Sequence, residues 1–183
     1  MAQIVLGMAT SHGPMLSTPP EQWGQRVVAD KANRAHAYEE LVALRAGENI
    51  AQQVSPEAWR EKHAACRRAI GTLAEVFERV RPDVAVIFGN DQMELFGEDN
   101  IPAFAVYCGE TIRNQAYDAD KLAKLPPGIA ISVPGHIPPN GADYRGHAAL
   151  GSHIIRSLAT DGFDVAALKE FPARHPTIPH AFG

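Results

Sequence analysis

Four histidines and two acids are the residues in this chain whose types and settings could do chemistry. His12, His136, His175 and His180 each follow an apolar run and sit among Gly or Pro: Ser11-His12-Gly13-Pro14, Gly135-His136-Ile137-Pro138, and Arg174-His175-Pro176-Thr177-Ile178-Pro179-His180. Asp91 and Glu94 lie in a fourth stretch of this kind, Gly89-Asn90-Asp91-Gln92-Met93-Glu94. Neutral imidazole is a ligand for iron, zinc, copper or nickel, and a carboxylate completes many such sites. Two histidines and one carboxylate leave open positions on iron(II) for a substrate and dioxygen. The same groups also serve as general acids and bases. Spacing does not decide between these uses. The chain has no zinc-finger spacing, no H-E-x-x-H helix, no Gly-rich phosphate loop and no G-x-S-x-G elbow. Ser11 beside His12 is not a hydrolase signature, because adjacent side chains seldom face each other.

The elements that must position these residues are read from apolar periodicity. Ile4-Val5-Leu6 reads as a buried strand that runs into the His12 loop. Thr18-Pro19-Pro20-Glu21 suits the start of a helix, with proline in the first turn and an acid near its positive end. Residues 21–38 are polar and carry no clear pattern, and Tyr38 to Arg45 fits a short helix ended by Gly47. The clearest helix opens at Ser55, a good N-cap, with Pro56 at the first helical position. Trp59, His63, Cys66, Ile70, Leu73, Phe77 and Val80 follow at steps of four and three, one face of a long helix. His63 on that stripe reads as a half-buried helix histidine.

Val84 to Phe88 is a β-branched run that reads as a buried parallel strand, and it leads into the Asp91 loop. Ile101 to Cys108 is a third strand, residues 109–128 are irregular, and Ile129 to Val133 is a fourth strand ahead of His136. Tyr144 to Thr160 is a second strong helix, with Ala148, Gly151, Ile155 and Leu158 on one side and Gly162 as its stop. Val165 to Leu168 is a fifth strand, leading to His175 and His180. Strands alternating with helices predict an α/β sandwich with a largely parallel sheet. The polar loops at four strand ends would then lie along one sheet edge, where open α/β sheets bind ligands.

Composition bounds the reading. The chain has 183 residues, 45% of them hydrophobic and 21% charged, which suits one globular α/β domain over residues 1–183. A net charge of -4 argues against nucleic acid as the partner. Cys66 and Cys108 make no disulfide framework, so reduced thiols and a cytoplasmic location are expected. No apolar run has membrane-spanning length, and the first residues lack a signal-peptide pattern. The final Pro179-His180-Ala181-Phe182-Gly183 carries no charged tail or closing helix. The 183 residues are therefore expected to be the N-terminal part of a longer catalytic domain.

The pieces together resemble the class III extradiol ring-cleavage dioxygenases, the family of the protocatechuate 4,5-dioxygenase beta subunit. The matching stretches are Ser11-His12-Gly13-Pro14, the run from Asp83 to Phe88 into Asn90-Asp91-Gln92, Ile101-Pro102-Ala103-Phe104-Ala105-Val106, and the stretch holding His180. They occur in the right order over most of the chain. The opening S-H-G-P-M-L-S-T-P-P is similar to the branch acting on gallate and 3-O-methylgallate, lignin-derived aromatics. The resemblance implies a three-layer α/β/α sandwich with a mostly parallel or mixed central sheet. It also implies a non-haem iron(II) enzyme of aromatic catabolism that opens a catechol ring with O2, beside rather than between the hydroxyls. His12 would be the first iron ligand. His180 would line the pocket as the catalytic histidine, bonding the substrate or oxygen. Ser11, Pro14 and His136 would contact the small aromatic diol. A homodimer or a second small subunit is implied, with no nucleic acid and no membrane partner.

The sequence departs from the family at two points. Gln92 stands where the family has its second histidine ligand, and an amide carbonyl is a weaker iron ligand than imidazole. Gln92 coordinates weakly, or Asp91 or Glu94 takes its place, or the metal site is altered. The family's carboxylate ligand and main base are expected beyond residue 183. Two other readings stay open: a non-catalytic relative that binds a small molecule or protein, favoured by Gln92, and a zinc-dependent hydrolase with Glu94 as base. His175 beside Arg174 and Pro176 suits a surface turn. His147 suits an exposed helix position. Trp23 and Tyr107 would pack either on an aromatic substrate or in the core.

Overall fold

The computed structural model describes residues 2–33 and 37–183. Among the described residues the chain is mixed helix and strand, with two two-stranded sheets. It packs as two compact units, Met1–Asp83 with Tyr117–Gly135, and Val84–Ala116 with His136–Gly183. Among the described residues no helix is long and apolar enough to cross a membrane.

The first unit is helical. A short helix α1 (Pro14–Ser17) and a 3-10 turn (Pro20–Gln22) lead into α2 (Trp23–Ala32). After α3 (Tyr38–Leu44) comes α4 (Pro56–Val80), the 25-residue helix read from the sequence. Ser55 caps α4 as expected: its Oγ accepts the Ala58 N–H at 3.2 Å. Trp59, His63, Cys66, Ile70, Leu73 and Val80 lie half-buried along one face. Phe77 does not follow the stripe and is exposed, while Val76 turns inward in its place. Trp23 anchors this unit. Only 7% exposed, it has its ring centroid 6.2 Å from those of Trp59 and His63, and its Nε1–H donates to the Thr18 carbonyl at 2.9 Å. Trp23 is therefore a core residue rather than a substrate platform.

Three predicted strands are not strands. Ile4 to Leu6 forms no ladder among the described residues, and Ile4 is 96% exposed. Val84 to Phe88 likewise forms no ladder among the described residues, and Phe88 is 90% exposed. An apolar β-branched run sets only an extended preference, and a partner strand must complete it. Ile129 to Val133 folds instead as the end of a helix, α6 (Pro127–Ala130), and a 3-10 turn (Val133–His136). The Pro126 carbonyl accepts the Ile129 and Ala130 N–H groups at 2.8 and 3.0 Å. Gly128 fits α6 against α2, where a Cβ would meet the Ala29 Cβ at 2.5 Å. Ahead of α6 lies α5 (Ala119–Lys124), capped by Asp118.

The second unit holds the strands. Strand β1 (Ala105–Tyr107) falls within the predicted third strand and pairs in parallel with β4 (Ala166–Leu168), Val106 opposite Ala167. Strands β2 (Thr111–Asn114) and β3 (Ala142–Arg145) form an antiparallel pair with Ile112 opposite Tyr144. Residues 109–128 were expected to be irregular, so β2 and α5 both correct that reading. The second strong helix, α7 (Ala148–Thr160), starts four residues later than expected, because Tyr144 and Arg145 belong to β3. His147 is its N-cap, with Nδ1 accepting the Leu150 N–H at 3.2 Å. Gly151 lets α7 pack tightly on β1: a Cβ there would lie 2.7 Å from the Tyr107 carbonyl oxygen. Tyr107 itself stacks on Phe171 at 4.9 Å between centroids.

Candidate functional site

The second unit gathers one carboxylate and three imidazoles from three separate stretches. The turn after residue 88 supplies Glu94. Its position is set by Asp91, whose Oδ1 accepts the N–H groups of Glu94 and Leu95 at 3.2 and 2.9 Å and whose Oδ2 accepts that of Phe96 at 3.0 Å. A carboxylate is acceptor-only and has room for these three bonds. Asp91 is thereby committed to folding the turn. The guanidinium of Arg174 donates to the Leu95 carbonyl from the other side.

The terminal stretch supplies His175 and His180. It is held by backbone-directed bonds to β2. The Ile178 N–H donates to the Arg113 carbonyl at 2.8 Å, and the Thr177 hydroxyl accepts the Gln115 N–H at 2.8 Å. His175, Thr177, Ile178 and Pro179 are buried as a result. His175 was expected on a surface turn, yet it is only 4% exposed, because its neighbours Arg174 and Pro176 face outward while its ring turns in.

Glu94 lies between these two histidines. Its Oε2 is 2.8 Å from His180 Nδ1 and accepts the His180 backbone N–H at 3.2 Å. Its Oε1 is 3.7 Å from His175 Nε2. The Glu94 and His180 side chains are 16% and 28% exposed, so the pair is partly shielded from solvent. His136 comes from the turn before β3. Its carbonyl accepts from Asn114 Nδ2 at 3.1 Å, and its ring centroid is 5.9 Å from that of His180. Burial holds the His136 imidazole below its ordinary pKa; the nearby His180 adds to this and Glu94 opposes it. Burial thus favours the neutral form of the His136 imidazole.

Three of the four polar loops singled out from the sequence therefore meet, those of Glu94, His136 and His175/His180. They meet through the turn held by Asp91 and the terminal stretch sewn to β2, not at the ends of four parallel strands. Glu94, named as an alternative ligand and as the base of a zinc-dependent hydrolase, is the centre of the cluster. Its signal in the sequence was being the second acid of a loop already dense in polar groups. Gln92 is exposed on the same turn. His12, Ser11 and Pro14 belong to the first unit. His12 is exposed ahead of α1, Ser11 Oγ accepts the Gly13 N–H at 3.1 Å, and Pro14 opens α1 with its carbonyl accepting from Thr18 Oγ1 at 2.6 Å.

The imidazole and carboxylate groups are of the nitrogen and oxygen kinds that iron(II) and zinc both take. As placed, Glu94 and His180 are bonded to each other, so their arrangement is that of an oriented acid–base pair. No protein-family model matches the chain, and no solved structure matches it.

Proposed function

We propose that this chain belongs to a cytoplasmic, iron(II)-dependent extradiol dioxygenase on a three-layer α/β/α sandwich, acting on a catechol-type ring such as protocatechuate, gallate or a methylgallate. The observation that carries the reading is the Glu94–His180 pair at 2.8 Å, half-shielded and flanked by His136 and His175. The family resemblance gives His180 the role of meeting the substrate, and the structure of the second unit surrounds that histidine with groups suited to proton handling.

On this reading Gln92, exposed on the turn that carries Glu94, stands where the resemblance places the second ligand. Its amide carbonyl is an oxygen donor, a weaker one for iron(II) than imidazole. Iron, when bound, supplies the centre where the diol chelates and dioxygen reacts. The residues of the second unit do the rest. His180 accepts a hydrogen bond or a proton from a substrate hydroxyl, and Glu94 stabilises the charge that this leaves on the ring. Neutral His136 adds a hydrogen-bonding group beside His180 without a second positive charge. Asp91, engaged with three backbone N–H groups, acts on this reading through the fold of the turn.

The test is anaerobic reconstitution of the full-length protein with ferrous iron or with zinc, followed by metal analysis and oxygen uptake with protocatechuate, gallate and 3-O-methylgallate. Stoichiometric iron with oxygen uptake supports the dioxygenase. Zinc retained with no oxygen requirement points to the hydrolase, and no tightly held metal points to a non-catalytic binding protein.

A further inference from the structure

We propose that Arg174 and Phe182 are positioning residues for His180, clamping the terminal stretch onto the turn of Glu94 at Leu95 and at Gly89. The reaction they serve rests on the proposed function, whereas the clamp rests on the geometry of the second unit. The guanidinium of Arg174 donates to the Leu95 carbonyl. Leu95 is a fixed point: Asp91 Oδ1 accepts its N–H at 2.9 Å, and the residue is only 9% exposed. Glu94 directly precedes it, and the buried His175 directly follows Arg174.

The other end of the clamp is Phe182 on Gly89. A Cβ at Gly89 would lie 2.7, 2.8 and 3.1 Å from three atoms of the Phe182 ring, so the ring fills the space a side chain there would need. Phe182 shares a 3-10 turn with His180, and its N–H donates to the Pro179 carbonyl at 3.0 Å. A shift of the Phe182 ring is therefore carried to His180 within one turn. His180 lies between Arg174 and Phe182 in the chain, and Glu94 lies between Gly89 and Leu95. The two meet between the ends of the clamp, with Glu94 Oε2 2.8 Å from His180 Nδ1. One tie leaves a segment free to pivot, and ties on both sides of the pair remove the pivot. The guanidinium is always charged, so the tie at Leu95 holds at any working pH. A reacting group displaced by about 1 Å can lose about 100-fold in rate.

The experiment compares Arg174→Met, Arg174→Lys and Phe182→Leu in the full-length protein by carbon–proton correlation spectroscopy of the histidine rings. The His180 signal is assigned by its loss in His180→Gln, and His147, the cap of α7, is the control. Arg174→Met keeps a long side chain without a donor. It should move the His180 signal and leave that of His147 in place. In the iron-loaded enzyme it should lower kcat on the order of 100-fold with far less change in KM. Arg174→Lys should restore both readouts, because a single carbonyl needs only one charged donor. Phe182→Leu tests the other end by the same readouts and carries the test where Arg174→Met does not fold. A folded Arg174→Met protein with the wild-type His180 signal and kcat would overturn the proposal. So would a lysine variant no better than the methionine one, or a change that spreads equally to His147. A displaced His180 signal in a protein whose wild type lacks oxygenase activity would leave the clamp standing and remove the dioxygenase reading.

Discussion

The hydroxyl of Thr177 lies 3.2 Å from the carbonyl oxygen of Arg113 on β2, to which it donates, and it accepts the neighbouring Gln115 N–H at 2.8 Å. One buried side chain thus joins the stretch carrying His175 and His180 to a strand 64 positions earlier. Thr177→Val keeps the shape and removes both bonds. Because it leaves a shielded N–H without its acceptor, the loss of stability should be about 1–3 kcal/mol by denaturant titration. Amide exchange should rise in residues 175–183 before the rest of the second unit. An unchanged midpoint would mean that the terminal stretch is held by packing alone.

Asp91 folds the turn that presents Glu94. Asp91→Ala removes a carboxylate from three N–H groups at once and should cost about 1–3 kcal/mol. Asp91→Asn, which keeps one carbonyl oxygen, should recover part of that. If Asp91 is instead an iron ligand, Asp91→Ala will abolish metal binding at unchanged stability.

Gly151→Ala tests the close packing of α7 on β1. Alanine is the better helix former by about 1 kcal/mol. Its methyl group, however, would press on the Tyr107 carbonyl and on Cys108, at 2.7 and 2.9 Å, and backbone cannot rotate away. Overpacking of this kind costs up to about 3 kcal/mol, so a net loss of about 2 kcal/mol is expected. A stabilised variant would show that α7 stands further from the sheet.

His136 predicts a pH dependence. Its folded-state pKa is below the ordinary 6.5, so between the two values the unfolded chain binds the proton first. Its contribution to stability is complete above about pH 6.5 and is lost as the pH falls through the lowered folded-state value. Denaturant midpoints of wild type and His136→Gln, compared from about pH 8 to about pH 5, should diverge on the acid side, with the variant changing less. Parallel curves would contradict the shift.

Local signals were the legible ones. The Ser55 cap, Pro56 and the stripe from Trp59 to Val80 lie within one helix, and they set α4 without help from elsewhere. The same holds for the apolar side of α7. Strand β2, with the sequence Thr111-Ile112-Arg113-Asn114, has no apolar alternation to show. It exists because β3 pairs with it and because the Arg113 carbonyl receives Thr177 and Ile178. The runs at residues 4–6 and 84–88 failed in the opposite way, having the composition of strands but no ladder among the described residues. At the site, histidines between glycines and prolines were visible by type. The choice of Glu94 over Asp91 as the partner of His180 was not, because it depends on which acid the turn consumes in its own backbone bonds.

The proposed reaction opens the ring beside the two hydroxyls. The most direct measurement is product analysis after turnover of protocatechuate, gallate or 3-O-methylgallate by the ferrous full-length protein under isotopically labelled dioxygen. The expected result is a ring-fission product, opened next to the diol, that carries oxygen from the gas. Ring opening between the hydroxyls, or substrate recovered intact with no labelled oxygen in any product, would contradict it.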